Sequence, residues 1–269
     1  MEALLLYMPN VVGAAFSAVA LFLMGSYFLS RGQTLKTMVL GQATGLGITL
    51  GFLIEILGHG DAMHHAWVSP LTSIFATVIV FALLQRFRFG GQRTTAMLVV
   101  AFLFLLSLNY IITAMVPQLE SHFSNAFLGD LATASGAGAW EMVAISVMAM
   151  IYWSQARSAL MGDAFREFAL GLKTPLRDGF GLLSLALFGE SIRHFGFLFT
   201  LGAVCIPAFF AAQAAHSRTQ YFAFGAGVAV IGTLVGFGTS LAAGNLPTTS
   251  MVIVCMTALG TGVMLLRSR

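Results

Sequence analysis

Glu55, His59, Asp61, His64 and His65 fall within eleven residues of a chain that has six histidines in all. Imidazole nitrogen and carboxylate oxygen are the donors that Zn²⁺, Mn²⁺ or Fe²⁺ accept. A single helix cannot turn all five toward one ion, but a loop articulated at Gly58 and Gly60 can fold around it. The chemistry available is capture or relay of a divalent cation. The competing reading is a solvated loop whose imidazoles sit at headgroup level or touch a partner.

Glu190, Arg193 and His194 form a second polar group, inside an otherwise apolar stretch. Ionisable side chains in such a setting are costly and are usually paired or functional. Glu190 and His194 are four residues apart and share a helix face, with Arg193 one step away. The simplest arrangement is an internal Glu190–Arg193 or Glu190–His194 pair; the alternative is a gate or a contact with a docked protein. Glu141, beside Trp140, reads as an interfacial anchor. The chain contains no HExxH, no GxSxG and no acid pair at the depth of a membrane span, which argues against an intramembrane enzyme.

The elements that must position these groups are membrane helices. Of the residues, 58% are hydrophobic and 9% charged, with a mean hydropathy of +0.89. An average soluble domain carries roughly 25% charged residues, so this chain could not cover a soluble surface. Apolar stretches at 11–30, 38–57, 66–85, 95–116, 139–156, 178–195, 196–214, 221–243 and 249–266 predict nine spans. The stretch 178–214 is either two full helices or one helix plus broken pieces. The fold class is therefore all-α, a polytopic bundle forming one transmembrane domain over 1–269. The N-terminal stretch lacks a basic leader and reads as a retained first span. Cys205 and Cys255 lie inside apolar stretches and are simplest as small core residues. Glycines cluster as Gly41, Gly45, Gly47 and Gly51, and as Gly225, Gly227, Gly232, Gly236 and Gly238. Such clusters predict close helix crossings.

Charge gives the direction. Twelve of the thirteen Lys and Arg residues fall in five gaps: Arg31 and Lys36; Arg86, Arg88 and Arg93; Arg157, Arg166, Lys173 and Arg177; Arg218; Arg267 and Arg269. The alternating gaps hold Glu2, then Glu55 and Asp61, then Glu120 and Asp130. Basic residues are retained on the cytoplasmic side, which places the N-terminus outside and the C-terminus inside. The net charge of +3 is spread over these loops and is no footprint for nucleic acid; the medium around the helices is lipid.

Between the fifth and sixth stretches, Asp163, Arg166, Glu167 and Lys173 alternate with Phe165, Phe168, Ala169 and Leu170. The pattern predicts a short amphipathic helix over about 161–175, ended by Gly171 and Pro175. It is either an ordinary interfacial helix or a docking element.

Here a family resemblance enters. Phe168-Ala169-Leu170-Gly171-Leu172-Lys173 through Arg177 resembles the coupling helix of ABC importer membrane subunits. The run Gly196-Phe197-Leu198-Phe199-Thr200 to Cys205-Ile206-Pro207-Ala208 is similar to a G-A-L-L-V-T…L-I-P-A run in the membrane subunits of zinc, manganese and iron ABC importers. Phe127-Leu128-Gly129-Asp130-Leu131 matches that family's external F-G-D-L motif, and Asn245-Leu246-Pro247-Thr248-Thr249-Ser250 resembles its P-x-G-P-x-x-V element. The resemblance covers about 11–266 in order and spacing.

It implies an ATP-driven permease of a bacterial inner membrane, a homodimer of such chains, cytoplasmic ATPase subunits on the coupling helices, and an external substrate-binding protein. Coupling would fall to Asp163, Phe165, Arg166, Phe168, Ala169, Gly171 and Lys173. Gln33, Thr37, Gln42, Gly196 and Pro207 are the pathway candidates. The chain has no GxxxxGK[ST] loop to cradle a nucleotide, so Mg-ATP belongs on a partner, and no cofactor is expected on this chain. One departure concerns the cargo. The family reads G-D-x-x-x-H-A after its first span, whereas this chain reads Gly32-Gln33-Thr34-Leu35-Lys36-Thr37-Met38. An amide, a hydroxyl and an ammonium make a poor divalent-cation site. The expected cargo is still a divalent metal, with a metal chelate or small organic solute as the alternative. From another class, a non-transporting scaffold or sensor remains open. Span interiors are nearly free of the carboxylates that a secondary transporter uses for ion coupling.

Overall fold

A computed structural model describes residues 2–30, 33–57, 68–86, 92–116, 127, 129–132, 134–170, 178–243 and 246–267. Among them lie nine helices: α1 (Glu2–Ser30), α2 (Thr34–Leu57), α3 (Val68–Arg86), α4 (Gln92–Met115), α5 (Gly136–Leu170), α6 (Asp178–Phe195), α7 (Phe197–Ala214), α8 (Arg218–Ala243) and α9 (Thr248–Arg267). Each expected span coincides with one of them. Seven helices are long and apolar enough to cross a membrane, and Val68–Leu84 is a shorter apolar helix. The chain is a multi-pass helical membrane protein.

The stretch 178–214 is two helices. Gly196 separates them with φ 88° and ψ 159°, a backbone conformation open essentially to glycine alone. The joint costs few backbone hydrogen bonds, since the Gly196 amide donates to the Ile192 carbonyl at 3.0 Å and the Thr200 amide donates to the Gly196 carbonyl at 3.2 Å.

Helix α1 is central, packing on α5, α7 and α8 and touching α2 and α6. The larger apolar core gathers around it, with Phe22, Tyr27, Phe188, Phe195, Phe199 and Phe237 fully buried. A smaller core of Val39, Leu40, Ala43, Leu46, Leu84, Leu98 and Leu105 joins α2, α3 and α4. Cys205 and Cys255 are free and partly buried. Large apolar side chains cover the outer faces of α3 and α4, among them Phe75, Ile79, Val100 and Phe104. In water such a surface would be a liability; against lipid tails it is the expected lining.

Small residues set the closest crossings, as the glycine clusters predict. A Cβ on Gly47 would lie 2.5 Å from Ser73 Cα, and one on Gly51 would lie 2.5 Å from Ser69 Cα, so α2 and α3 touch backbone to backbone. Gly232 and Gly236 seat α8 on α9 in the same way, against Met256 and Val252. Lipid supplies no hydrophobic drive between helices, so close approach and hydroxyl pairs hold the bundle. Hydroxyl pairs of that kind are Thr44–Thr77 at 2.8 Å, Ser191–Thr200 at 2.7 Å and Ser17–Ser146 at 3.2 Å.

Candidate functional site

The upper end of the bundle is the one where α1, α5 and α9 begin and α6 closes. Phe127, residues 129–132 and Ala134 lie across it. Gly129 takes φ 63° and has the Phe195 carbonyl and Gly196 Cα in the space where a Cβ would stand. Phe127 stacks on Phe197 with ring centroids 5.3 Å apart. Asn10 of α1 donates to the Ala134 carbonyl at 2.9 Å and the Ala132 carbonyl at 3.3 Å. The Ala132 amide donates to the Asp130 carboxylate at 3.2 Å, and the Thr248 hydroxyl donates to the same carboxylate oxygen. Two motifs far apart in sequence are thereby joined, through Asp130 and Thr248, over the α6–α7 junction.

Beneath this clasp, Glu190 and Arg193 form the internal pair expected of them, Arg193 Nη1 donating to Glu190 Oε2 at 3.2 Å. His194 Nε2 lies 3.5 Å from Glu190 Oε2 and 3.5 Å from Glu141 Oε2. Glu141 is thus more than an interfacial anchor: the start of α5 brings it onto the α6 pair. Its sequence signal was only a lone carboxylate beside Trp140, and helix packing alone reveals its neighbours. Of the cluster expected around Glu55, only Glu55 itself is among the described residues. Glu55 is partly buried near the end of α2, while His59, Asp61, His64 and His65 lie outside the described residues.

Of the pathway candidates, Gln33, Thr37 and Gln42 are all buried. Thr37 donates its hydroxyl to the Thr34 carbonyl at 2.6 Å. It lines a cavity of about 300 Å³ between α1, α2, α7 and α9, walled by Gly25, Phe28, Leu29, Ile206 and Phe209. It also borders a smaller one of about 30 Å³ reaching Phe81, Ser184 and Phe188. Neither Gln33 nor Gln42 lines these cavities; Gln42 Nε2 is buried without a hydrogen-bond partner among the described residues. Pro207 is buried inside α7, where it removes one helical donor, next to the cavity-lining Ile206 and Ala208. Gly196 lies at the upper end, away from Thr37.

The expected separate helix at 161–175 is corrected. The segment up to Leu170 is the continuation of α5, one unbroken helix of 35 residues from Gly136. Polar residues such as Ser154, Gln155 and Arg157 mark departure from an apolar medium; they do not end a helix, and Gly162 is tolerated inside it. Phe165 and Arg166 are exposed, Phe165 at 64%, and Asp163 is partly buried. Phe168 and Ala169 lie on the helix, and Gly171 and Lys173 lie outside the described residues. Beside this extension an open cavity of about 610 Å³ has a mostly apolar lining, including Leu29, Met161 and Phe222, with Ser30, His216 and Arg218 among its polar groups.

A bundle of tightly crossed apolar helices, with a glycine joint at one end and a helical extension at the other, is a polytopic α-helical membrane fold. The family model of the ABC 3 transport family matches residues 5–267, and the chain belongs to that family. The fold is similar to PsaBC from Streptococcus pneumoniae in complex with Fab, at 13% identity and a TM-score of 0.75, covering 94% of this chain and 89% of that one. It is also similar to an inward-facing structure described as a metal-chelate type ABC transporter, at 14% identity and a TM-score of 0.58, covering 97% and 87%. At these identities the likeness shows the ABC permease fold alone. No curated protein sequence matches the chain.

Proposed function

We propose that this chain is the pore-forming subunit of an ATP-driven importer that carries a divalent metal ion (Zn²⁺, Mn²⁺ or Fe²⁺) across a bacterial plasma membrane by alternating access. Two copies would pair. Mg-ATP would be hydrolysed on cytoplasmic ATPase subunits, and an extracytoplasmic binding protein would deliver the cargo. The charge pattern supports an external N-terminus and a cytoplasmic C-terminus, which puts the upper end outside.

The observation that carries this reading is the length of α5. Its 35 residues extend about 52 Å at 1.5 Å per residue, against a hydrocarbon core of about 30 Å. The helix is therefore about 20 Å longer than the hydrocarbon core requires, and its polar end lies on the basic side. It presents Phe165, an apolar knob left exposed by the described residues, beside the Arg166 cation. A rigid rod from the clasped upper end to a partner surface is the form a mechanical coupling between ATPase and pathway needs.

A second reading is favoured by the cavity beside Thr37. Its walls are apolar and hold no carboxylate or imidazole among the described residues, which suits a metal chelate or small organic solute better than a bare ion.

The test is ATP hydrolysis by the complex of this chain with its ATPase and binding protein in liposomes, with Zn²⁺, Mn²⁺ and Fe²⁺ added in turn. Metal import is supported when one ion stimulates hydrolysis and accumulates inside, and when Phe165→Asp abolishes both without loss of the folded chain. If none of the ions stimulates while a chelate does, the cargo is the chelate. A chain that assembles with no ATPase at all sinks both readings.

A further inference from the structure

We propose that Glu141, Glu190 and His194 form a divalent-cation site at the upper end of the bundle, between the start of α5 and the end of α6. Their ligand atoms (two carboxylate oxygens and one imidazole nitrogen) all lie within 4.8 Å of one another. Two ligands each about 2.1 Å from a tetrahedral ion stand about 3.4 Å apart. His194 Nε2 is 3.5 Å from an oxygen of each glutamate, so the side chains already hold the spacing an ion would ask for.

The imidazole supplies an independent observation. Its Nε2 is shielded from solvent, and its neighbours of opposite charge are the two carboxylates, each at 3.5 Å, the outer limit of a hydrogen bond. A buried polar nitrogen so loosely matched is expensive, and native structures seldom leave one without a reason. This nitrogen points between two carboxylates at a distance too long for a good hydrogen bond and right for a shared ion. The ring is also held from behind, since a Cβ on Gly138 would come within 2.4 Å of His194 Cε1 and Nδ1. Gly138 is thus a positioning residue.

Access and charge fit a site that fills and empties. Glu141 is the open side, its side chain 46% exposed, while Glu190 and His194 are 11% and 12% exposed. One harder and one softer donor type suit first-row divalent ions, Zn²⁺ among them. Arg193 shares Glu190 Oε2 and acts as the counter-ion an arriving cation must displace; with 29% of its side chain exposed, it has a route to solvent. Ligation would tie α5 to α6 two residues before the glycine joint at Gly196, so occupancy bears on the α6–α7 junction. As a stop on a transport path this site rests on the reading above; as a cation site it does not.

The experiment is Zn²⁺ binding to the full chain in lipid nanodiscs, without ATPase or binding protein, by calorimetry and by metal content after gel filtration. To separate this site from the His59–His65 loop, it is done on a His59/His64/His65→Ala background. One equivalent is expected, with at least tenfold weaker binding in Glu190→Gln and in His194→Ala, and weaker binding in Gly138→Ala. Arg193→Gln is expected to bind about tenfold more tightly, a gain that a purely structural ion pair would not give and that no unfolding could mimic. The proposal is overturned if the background variant binds no Zn²⁺, or if Glu190→Gln, His194→Ala and Arg193→Gln all leave the affinity unchanged. Binding that follows this pattern, with no metal-stimulated hydrolysis in the assembled complex, keeps the site and refutes the transport reading.

Discussion

Thr248 donates its hydroxyl to the carboxylate of Asp130, 118 positions away in sequence, and so fastens the start of α9 to the segment that leads into α5. The same carboxylate oxygen receives the Ala132 amide, and Asn10 of α1 closes the other side of the segment. Three helix starts are thus tied together over the α6–α7 joint by a few polar contacts.

Thr248→Val removes the hydroxyl at nearly constant volume and leaves a partly buried carboxylate short of one donor. Loss of a hydrogen bond to a charged group costs roughly 1–3 kcal/mol. The expected outcome is a lowered melting midpoint in detergent, with Thr248→Ser close to the parent. A double-mutant cycle with Asp130→Asn should give a coupling well above zero. Additive effects of the two changes would show that the contact contributes nothing of its own.

Gly196→Ala places a side chain on a backbone at φ 88° and ψ 159°, at a cost of about 1–3 kcal/mol. Relief requires α6 and α7 to change their relative direction, which disturbs the packing of Gly129 on Phe195. Both thermal stability and transport in liposomes should fall. Retention of both would mean that the joint is not confined to glycine.

Much of this architecture could be read from residues alone. Apolar runs of span length located the helices, because backbone groups in lipid must be satisfied within the helix; over 178–214 they left two helices or broken pieces open, and the structure puts the break at Gly196. Two features were not legible, for different reasons. The passage from Tyr152 to Leu170 changes polarity without any residue that stops a helix, so its continuity depends on backbone preference while the hydropathy pattern suggests a boundary. Glu141 meets His194 only in the packing of α5 on α6, where the His194 ring lies within 2.4 Å of the place a Cβ on Gly138 would take. No local spacing encodes that meeting.

The α2–α3 crossing offers a paired comparison. Gly47→Ala would set a methyl 2.5 Å from Ser73 Cα and 2.6 Å from the Thr72 carbonyl, backbone atoms that can yield only by parting the helices. Overpacking of this kind costs typically 1–3 kcal/mol. Gly227→Ala meets nothing within 4 Å and should stabilise α8 slightly, by up to about 1 kcal/mol. Melting midpoints of the two variants on opposite sides of the parent are the expected result. Equal midpoints would show that α2 and α3 are not in backbone contact.

The unbroken course of α5 makes a prediction about coupling. Inserting one alanine between Gly162 and Asp163, beyond the core residues Leu160 and Met161, turns everything after it by about 100° and advances it by 1.5 Å. Phe165 and Arg166 then face a new direction while the helix from Gly136 to Gly162 keeps its packing. On a rigid rod the change reaches the partner surface undiminished. Stimulated ATP hydrolysis should fall at least tenfold, with the melting midpoint and the Zn²⁺ affinity of the upper end unaltered. A docking segment hung on a pliable loop would absorb one residue, and full retention of stimulation would show that α5 does not transmit the stroke.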